Sequence, residues 1–240
     1  MAFYRGEFVV NSESCSHQEN LKQVVESIHQ ELLPNLKLES IQPYNPVVVH
    51  QVAEPWRVLG TGNYAAVFYH ADYCDLVVKV YAPGRLGWSE EVEVYRRLGI
   101  HPAYSTCFYA ENDFLVLKRL HGATLYDCLH QGLTIPKKVI EDIDRALEYA
   151  RSRGLYPHDV HGRNVMMSEG KGLVVDISDF LRTEPCFAWS DLTKAYHYLY
   201  LPLFSWYRLQ LPYFALDLVR ANYRIFRRFL DRRSHRSSNY

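Results

Sequence analysis

Three polar side chains in the second half of the sequence stand at a spacing that chemistry can use. Asp159 and Asn164 belong to the run P-H-D-V-H-G-R-N from Pro157 to Asn164, and Asp176 ends the apolar run G-L-V-V-D that begins at Gly172. A carboxylate can accept or orient an attacking hydroxyl. An amide oxygen can ligate a magnesium ion, and a second carboxylate can bridge metal and phosphate, so the set supplies what metal-assisted phosphoryl transfer needs. The D-x-x-x-x-N spacing is common by chance. Its order here is not, because an amphipathic helix precedes it and an apolar strand ending in aspartate follows it. His158 and His161 flank Asp159, but no third ligand is evident, which favours local structural roles over a metal site.

Two upstream features fit the same chemistry. The run G-T-G-N-Y-A-A-V from Gly60 to Val67 lies between two strand patterns and does not open a helix, which excludes the dinucleotide fingerprint. At a hairpin tip, Gly60, Thr61 and Gly62 would let backbone N–H groups approach phosphate oxygens, although a plain hairpin turn is the commoner meaning of such a run. Lys79 stands alone in V-V-K-V. Snorkelling from an edge strand would explain it, and so would a phosphate-facing ammonium held by a carboxylate. Glu91 in S-E-E-V-E-V-Y-R-R-L has the right spacing for that carboxylate, with Glu90 and Glu93 as rivals.

The elements that must position these groups can be read in order. Asn20 to Leu33 has an apolar stripe (Leu21, Val24, Val25, Ile28, Leu32) with Pro34 just past its end, which predicts an amphipathic helix that docks on another element. From Val47 the texture is β, with V-V-V, W-R-V-L-G, A-A-V-F-Y and L-V-V-K-V-Y separated by turn residues, which predicts an antiparallel meander. A helix over Ser89 to Leu98 and apolar runs around Ser105 to Tyr109 and Phe114 to Leu117 follow. After Gly122 the period becomes helical. Thr134 can cap a helix with Val139, Ile143, Ala146, Leu147 and Ala150 on one face, stopped by Gly154. Residues from Asp191 to Leu230 read as further helices. A β-rich part followed by an α-rich part is an α+β pattern.

Composition bounds the remaining possibilities. The 240 residues are 48% apolar and carry 27 basic and 27 acidic side chains, so net charge gives no reason to propose a nucleic-acid or membrane partner. The five cysteines are scattered, with no C-x-x-C pair, which argues against a disulfide framework or a zinc site and for a reducing cytoplasm. The N-terminus does not read as a secretory signal. The nearest candidate span, Tyr196 to Val219, is interrupted by Pro202, Arg208, Pro212 and Asp217, so no transmembrane segment is expected. From Arg220 onward there are seven arginines and one acid, Asp231. Leu216, Val219, Tyr223, Phe226 and Leu230 make an apolar stripe that leaves Arg220, Arg224, Arg227 and Arg228 toward solvent. This is a closing helix with a solvated basic face, a surface for an anionic partner, or a face for the acidic N-terminal helix.

The ordered motifs resemble those of the protein-kinase-like superfamily over about Trp56 to Tyr200. More narrowly, G-L-Y-P-H-D-V-H-G-R-N-V, V-V-D-I-S-D-F and W-S-D-L-T-K-A-Y are similar to a group of compact bacterial serine/threonine kinases. The resemblance implies a bilobal α+β fold with an antiparallel β N-lobe at 44–118 and an α-helical C-lobe at 119–232. A helical extension at 1–43 would precede them, and a basic polar tail at 233–240 would follow. It implies ATP and Mg2+ as cofactors, with Gly60, Thr61, Gly62 and Val67 over the nucleotide and Lys79, paired with Glu91, on its phosphates. Leu117 would be the gatekeeper, Lys118 to Leu120 would lie beside adenine, Asn164 and Asp176 would hold the metal, and Asp159 would position the hydroxyl of a protein serine or threonine.

Departures from the pattern refine that expectation. P-H-D replaces H-R-D, which removes the arginine that would pair with a phosphorylated loop. D-I-S replaces D-F-G, and the segment before Asp191, the candidate anchor for the catalytic loop, is short and lacks A-P-E. His161 stands where many protein kinases carry a lysine and where sugar and choline phosphotransferases often have histidine. A small-molecule phosphotransferase and a nucleotide-binding module that transfers nothing are therefore the alternatives.

Overall fold

The computed structural model describes residues 7–8, 15–42, 44–203 and 210–223. Strand β1 (Glu7–Phe8) is followed by helix α1 (Cys15–Ser27), a π-helical turn (Ile28–Leu32) and the short helix α2 (Leu33–Asn35). Leu21, Val24, Ile28 and Leu32 recur at helical spacing and are all buried. The helical path does not stop before Pro34. That residue sits in the first turn of α2, where a missing N–H leaves no intrahelical bond unmade. Strands β2 (Lys37–Glu39) and β3 (Val48–Gln51) then pair with each other, so the V-V-V run belongs to a separate ribbon and not to the main meander.

The meander is β4 (Trp56–Thr61), β5 (Ala65–His70) and β6 (Leu76–Tyr81). Helix α3 (Trp88–Leu98) follows, then β7 (Cys107–Glu111) and β8 (Phe114–Lys118). They complete a six-stranded antiparallel sheet in the order β1-β7-β8-β6-β5-β4. Successive side chains on a strand point to opposite faces. On β6, Val78 and Val80 therefore join Leu21, Val24, Ile28, Leu32, Trp56 and Phe68 under α1. Val77 and Tyr81 face the other way, into the core that holds Val92, Tyr95 and Leu98 of α3. Lys79 lies between them in sequence and shares their face.

The second part is mainly helical. β9 (Ala123–Thr124) leads into α4 (Leu125–Gln131), whose N-cap is Thr124, its hydroxyl accepting from the Asp127 N–H at 3.0 Å. Helix α5 (Lys137–Ser152) buries Val139, Ile143, Ala146, Leu147 and Ala150, the stripe read from the sequence. Thr134 does not cap it. Ile135 precedes a proline and is thereby driven out of the helical region, so the helix begins only after Pro136. A hairpin of β10 (Val165–Ser168) and β11 (Lys171–Val174) pairs with β9 in a three-stranded sheet.

Helix α6 (Ala188–Ala195) continues through a π-helical turn (Tyr196–Tyr200) into α7 (Leu201–Leu203), and residues 213–223 form helix α8. Trp189 Nε1 donates to Asp144 at 2.6 Å and the Tyr196 hydroxyl to the Ile135 carbonyl at 2.9 Å, which seats α6 and the turn after it against α5 and its approach. The class is α+β, as the order of patterns predicts. Among the described residues no helix is long and apolar enough to cross a membrane. Of the arginines expected on a basic C-terminal face, Arg220 lies on α8, whereas Arg224, Arg227 and Arg228 lie outside the described residues, as do Phe226 and Leu230 of the apolar stripe.

Gly172 fixes how the hairpin meets α5. A Cβ there would lie 2.3 Å from the Val139 carbonyl oxygen and 2.8 Å from Ile143 Cγ1. Its N–H donates to Asp142 Oδ2 at 3.2 Å. The substitution Gly172→Ala must push strand and helix apart, and we expect it to destabilise the fold by about 1–3 kcal/mol in urea unfolding. A loss below about 0.5 kcal/mol would show that the strand can shift without consequence.

Candidate active site

The β register lines up Gly60, Val67, Lys79 and Leu115 in one row across the sheet, since Gly60 pairs with Val67, Val67 with Lys79 and Lys79 with Leu115. Strand alternation points Lys79 at α3, which presents Glu91 from its first turn. Lys79 Nζ lies 2.7 Å from Glu91 Oε2 and 3.5 Å from Asp176 Oδ1. The Tyr81 hydroxyl donates to Glu91 as well. Glu91 is only 1% exposed. Glu93 pairs with Arg97 at the surface at 2.8 Å, and exposed Glu90 accepts from the Ser89 hydroxyl.

Burial works against the charge on Lys79, but Asp176 and Glu91 outweigh it and raise the ammonium above its ordinary range. Burial pushes Glu91 upward, with Lys79 pulling in the other direction. At Asp176 burial is overcome by Lys79 and by the Ser178 N–H, which together hold the carboxyl below its usual value. One ammonium thus sits between two carboxylates, one on α3 and one beyond β11.

The loop carrying Asp159 hangs on buried Leu155, Val160 and Val165. Asp159 has φ +53°, a left-handed conformation that non-glycine residues adopt uncommonly and that concentrates at functional sites. Its peptide groups are bound on both sides. The N–H donates to Cys186 Sγ at 3.3 Å, and the carbonyl accepts from Asn164 Nδ2 at 3.0 Å. The Asn164 N–H bonds the His161 carbonyl at 2.8 Å, and the Val175 N–H bonds the Asn164 carbonyl at 3.0 Å, which brings Asn164 beside the Asp176 segment. His161 Nε2 lies 3.7 Å from Asp159 Oδ2. Burial lowers the pKa of His161 against the pull of Asp159, favouring the neutral ring.

Beyond Asp176, Ile177 and Phe180 are buried and the Tyr156 N–H donates to the Phe180 carbonyl at 2.7 Å, so the D-I-S segment is fastened to the core. Arg182 pairs with Asp179 at 2.8 Å and reaches the Tyr64 hydroxyl at 3.5 Å, across to the tip of the β4–β5 hairpin. Asp191 on α6 accepts from the Tyr223 hydroxyl at 2.9 Å and lies 3.7 Å from Lys194. His158 Nδ1 is buried with no hydrogen-bond partner among the described residues.

At the hairpin, a Cβ on Gly60 would meet nothing within 4 Å, and neither Gly60 nor Gly62 has positive φ. The backbone does not demand glycine at either position, which leaves room for a group outside the chain as a reason for the missing side chains. The Gly62 N–H is bonded to the Ala65 carbonyl and its own carbonyl to the Val47 N–H, each at 2.8 Å, with Thr61 opposite Ala66. Where β8 ends, the N–H groups of Lys118, its last residue, and of Arg119 are committed to the carbonyls of Thr106 and Asp75. Leu120 is then the first position of that linker whose N–H has no backbone partner among the described residues, just beyond buried Leu117.

Among the described residues no three His, Cys, Asp or Glu side chains cluster to hold a metal. Asp176 and Asn164 carry oxygen donors of the kind that a magnesium ion held mainly by phosphates and water would take. Charge and connectivity mark this site. Sequence reasoning missed Tyr81, Cys186 and Arg182. Tyr81 was accessible in principle, two residues from Lys79 on the same strand face. The other two are joined to the site only by tertiary packing.

The Lys79–Glu91 pair at the sheet, the loop bearing Asp159 and Asn164, and Asp176 beyond β11 stand in the order that the resemblance to protein-kinase-type phosphotransferases leads one to expect. Over 180 residues the chain is 31% identical to the Bacillus subtilis (strain 168) protein named "Putative serine/threonine-protein kinase YrzF", a match covering 73% of this chain and 82% of that protein. The chain belongs to that serine/threonine-protein-kinase family. It is also 25% identical over 142 residues to CBL-interacting serine/threonine-protein kinase 16 of Arabidopsis thaliana, covering 52% of this chain and 30% of that longer protein. No family model matches the chain.

Two outcomes follow from the electrostatics. Glu91→Ala leaves Lys79 with only Asp176 nearby and should lower unfolding free energy by about 3 kcal/mol in urea; a loss below about 1 kcal/mol would mean the pair adds nothing to the fold. The depressed His161 pKa makes the unfolded chain the better proton acceptor. Stability from this residue is therefore complete above the ordinary histidine value of about 6.5 and declines as pH falls through it toward the folded pKa. His161→Gln should flatten that part of a melting-temperature profile, and an unchanged profile would rule the contribution out.

Proposed function

We propose that the chain is a compact Mg-ATP-dependent protein kinase that phosphorylates serine or threonine. The observation that carries this reading is the Lys79 ammonium held between Glu91 and Asp176 at 2.7 and 3.5 Å, with the Asp159–Asn164 loop hydrogen-bonded to the same segment. Lys79 contacts the α and β phosphates, oriented by Glu91, while the Gly60–Gly62 tip covers them and Val67 and Leu117 flank the base. Adenine takes its backbone contacts from the linker, with the Leu120 N–H as donor and carbonyls from Lys118 onward as acceptors. Asp176 and the Asn164 amide oxygen would hold magnesium, which would neutralise charge on the phosphates.

Asp159 accepts the proton of the substrate hydroxyl as that oxygen bonds to the γ-phosphorus and the bond to the ADP oxygen breaks. Neutral His161 sits beside Asp159 without adding a competing charge. The D-I-S segment and its buried Ile177 and Phe180 support a site that is assembled without loop phosphorylation. The scattered cysteines, with no C-x-x-C pair, support a reducing compartment such as the cytoplasm. The arginines from Arg220 onward support an anionic partner whose binding weakens with salt.

Labelled-phosphate transfer from ATP tests the reading. Transfer to protein serine or threonine should fall by at least about 100-fold in Asp159→Asn and in Asp176→Asn. Leu120→Pro, which deletes one N–H, should weaken ATP-induced thermal stabilisation and raise the nucleotide Kd about five- to tenfold. Transfer to metabolites alone would replace the protein substrate by a small molecule. Stabilisation by ATP with no transfer to either would reduce the chain to a nucleotide-binding module.

A further inference from the structure

Helix α8 is remote in sequence from the catalytic loop yet bonded to it. Asp217 Oδ1 accepts from Arg163 Nη2 and from the Tyr126 hydroxyl, both at 2.7 Å. The Arg163 guanidinium carbon lies 4.1 Å from the centre of the Tyr126 ring. The Tyr126 N–H donates to the Gly162 carbonyl at 3.0 Å. Gly162 and Arg163 are the two residues between His161 and Asn164, so the whole turn is gripped by one tyrosine and one carboxylate. Helix α8 is itself seated through Tyr213, which stacks on His130 at 3.7 Å between ring centres and bonds Asp127 at 3.0 Å.

Arg163 and Asp217 are 41% and 54% exposed. A screened pair of that kind adds little to folding. What it does fix is direction, since a carboxylate with two donors and a cation stacked on an aromatic face leave Arg163 few rotamers. The next residue is Asn164, whose N–H closes the turn onto His161 at 2.8 Å and whose side chain braces Asp159 at 3.0 Å.

We propose that Asp217 is a positioning residue of the active site, holding Arg163 and thereby the Gly162–Asn164 turn so that the Asn164 amide stays aligned with Asp176. The inference rests on the kinase reading and extends it, because it makes the helix at 213–223 part of the catalytic apparatus through its hold on the Gly162–Asn164 turn. A misplacement of about 1 Å at such a turn lowers rates by up to about 100-fold, and loss of this one clamp should act within that range.

The test uses the full chain with Asp217→Ala and Asp217→Glu. In Asp217→Ala we expect kcat to fall about tenfold, KM for ATP to stay within about twofold and the melting temperature to stay within about 3 °C. Asp217→Glu, which keeps a carboxylate in reach of Arg163 and Tyr126, should retain most of the rate. Hydrogen exchange gives a readout independent of transfer: the Asn164 amide should exchange about tenfold faster in Asp217→Ala and at the wild-type rate in Asp217→Glu. Unchanged Asn164 exchange in Asp217→Ala, a kcat within twofold of wild type, or equal losses in both variants would overturn the proposal. If the wild-type chain transfers no phosphate, the kinase reading falls, and the Asn164 exchange rates alone decide whether Asp217 positions the turn.

Discussion

A buried ammonium is tolerable only with its charge answered, and the arrangement around Lys79 is organised by that requirement. Removing Lys79 and Glu91 from water is unfavourable, and the attraction between them offsets it only with good geometry and satisfied hydrogen bonds. Glu91 meets the condition with Lys79 on one side and the Tyr81 hydroxyl on the other. Because Glu91 comes from α3 and Lys79 from β6, the pair fixes the helix against the sheet. Because Asp176 shares the same ammonium, it also fixes the sheet against the segment leaving β11. The ammonium thus links the β part to the α part beside the core that both share, at the place where phosphate chemistry would occur.

That charge needs a stiff support, and the sheet supplies one by being covered on both faces. Alternate residues of β5 and β6 feed two cores, one shared with α3 and α5 and one with α1. The strands are consequently apolar on both sides, apart from Lys79 and His70. The N-terminal helix is therefore integral to the fold: Leu21, Val24, Ile28 and Leu32 seal the face of the sheet opposite the site. The turn at the hairpin tip is tied back as well, through the Val47 N–H on the Gly62 carbonyl.

Local rules account for what could be read from the chain and for what could not. The α5 stripe, the meander from Trp56 and the sequence order of Lys79, Glu91, Asp159, Asn164 and Asp176 depend on periodicity and spacing, and both are written in the sequence. The start of α5 was also legible in principle, since Ile135 before Pro136 outweighs Thr134 as a boundary. The pairing of β3 with β2 was not, because a three-valine run carries no information about its neighbour. The sulfur of Cys186 on the Asp159 N–H and the carboxylate of Asp217 on Arg163 bridge residues 27 and 54 positions apart. No spacing rule connects such residues, which meet only once the helices are packed.

The φ of +53° at Asp159 filters residue types independently of the chemistry. Left-handed backbone admits glycine and, among the rest, chiefly asparagine and aspartate, whose short polar side chains can bond locally. In the proposed role this residue would also have to accept or orient a proton, which an aspartate carboxylate can do. Glutamate keeps the charge but fits the backbone poorly, asparagine keeps the backbone but cannot take the proton, and glycine keeps neither charge nor reach. If Asp159 has the proposed role, backbone and chemistry would both favour aspartate here, and exchange for glutamate or asparagine would each satisfy only one of the two demands.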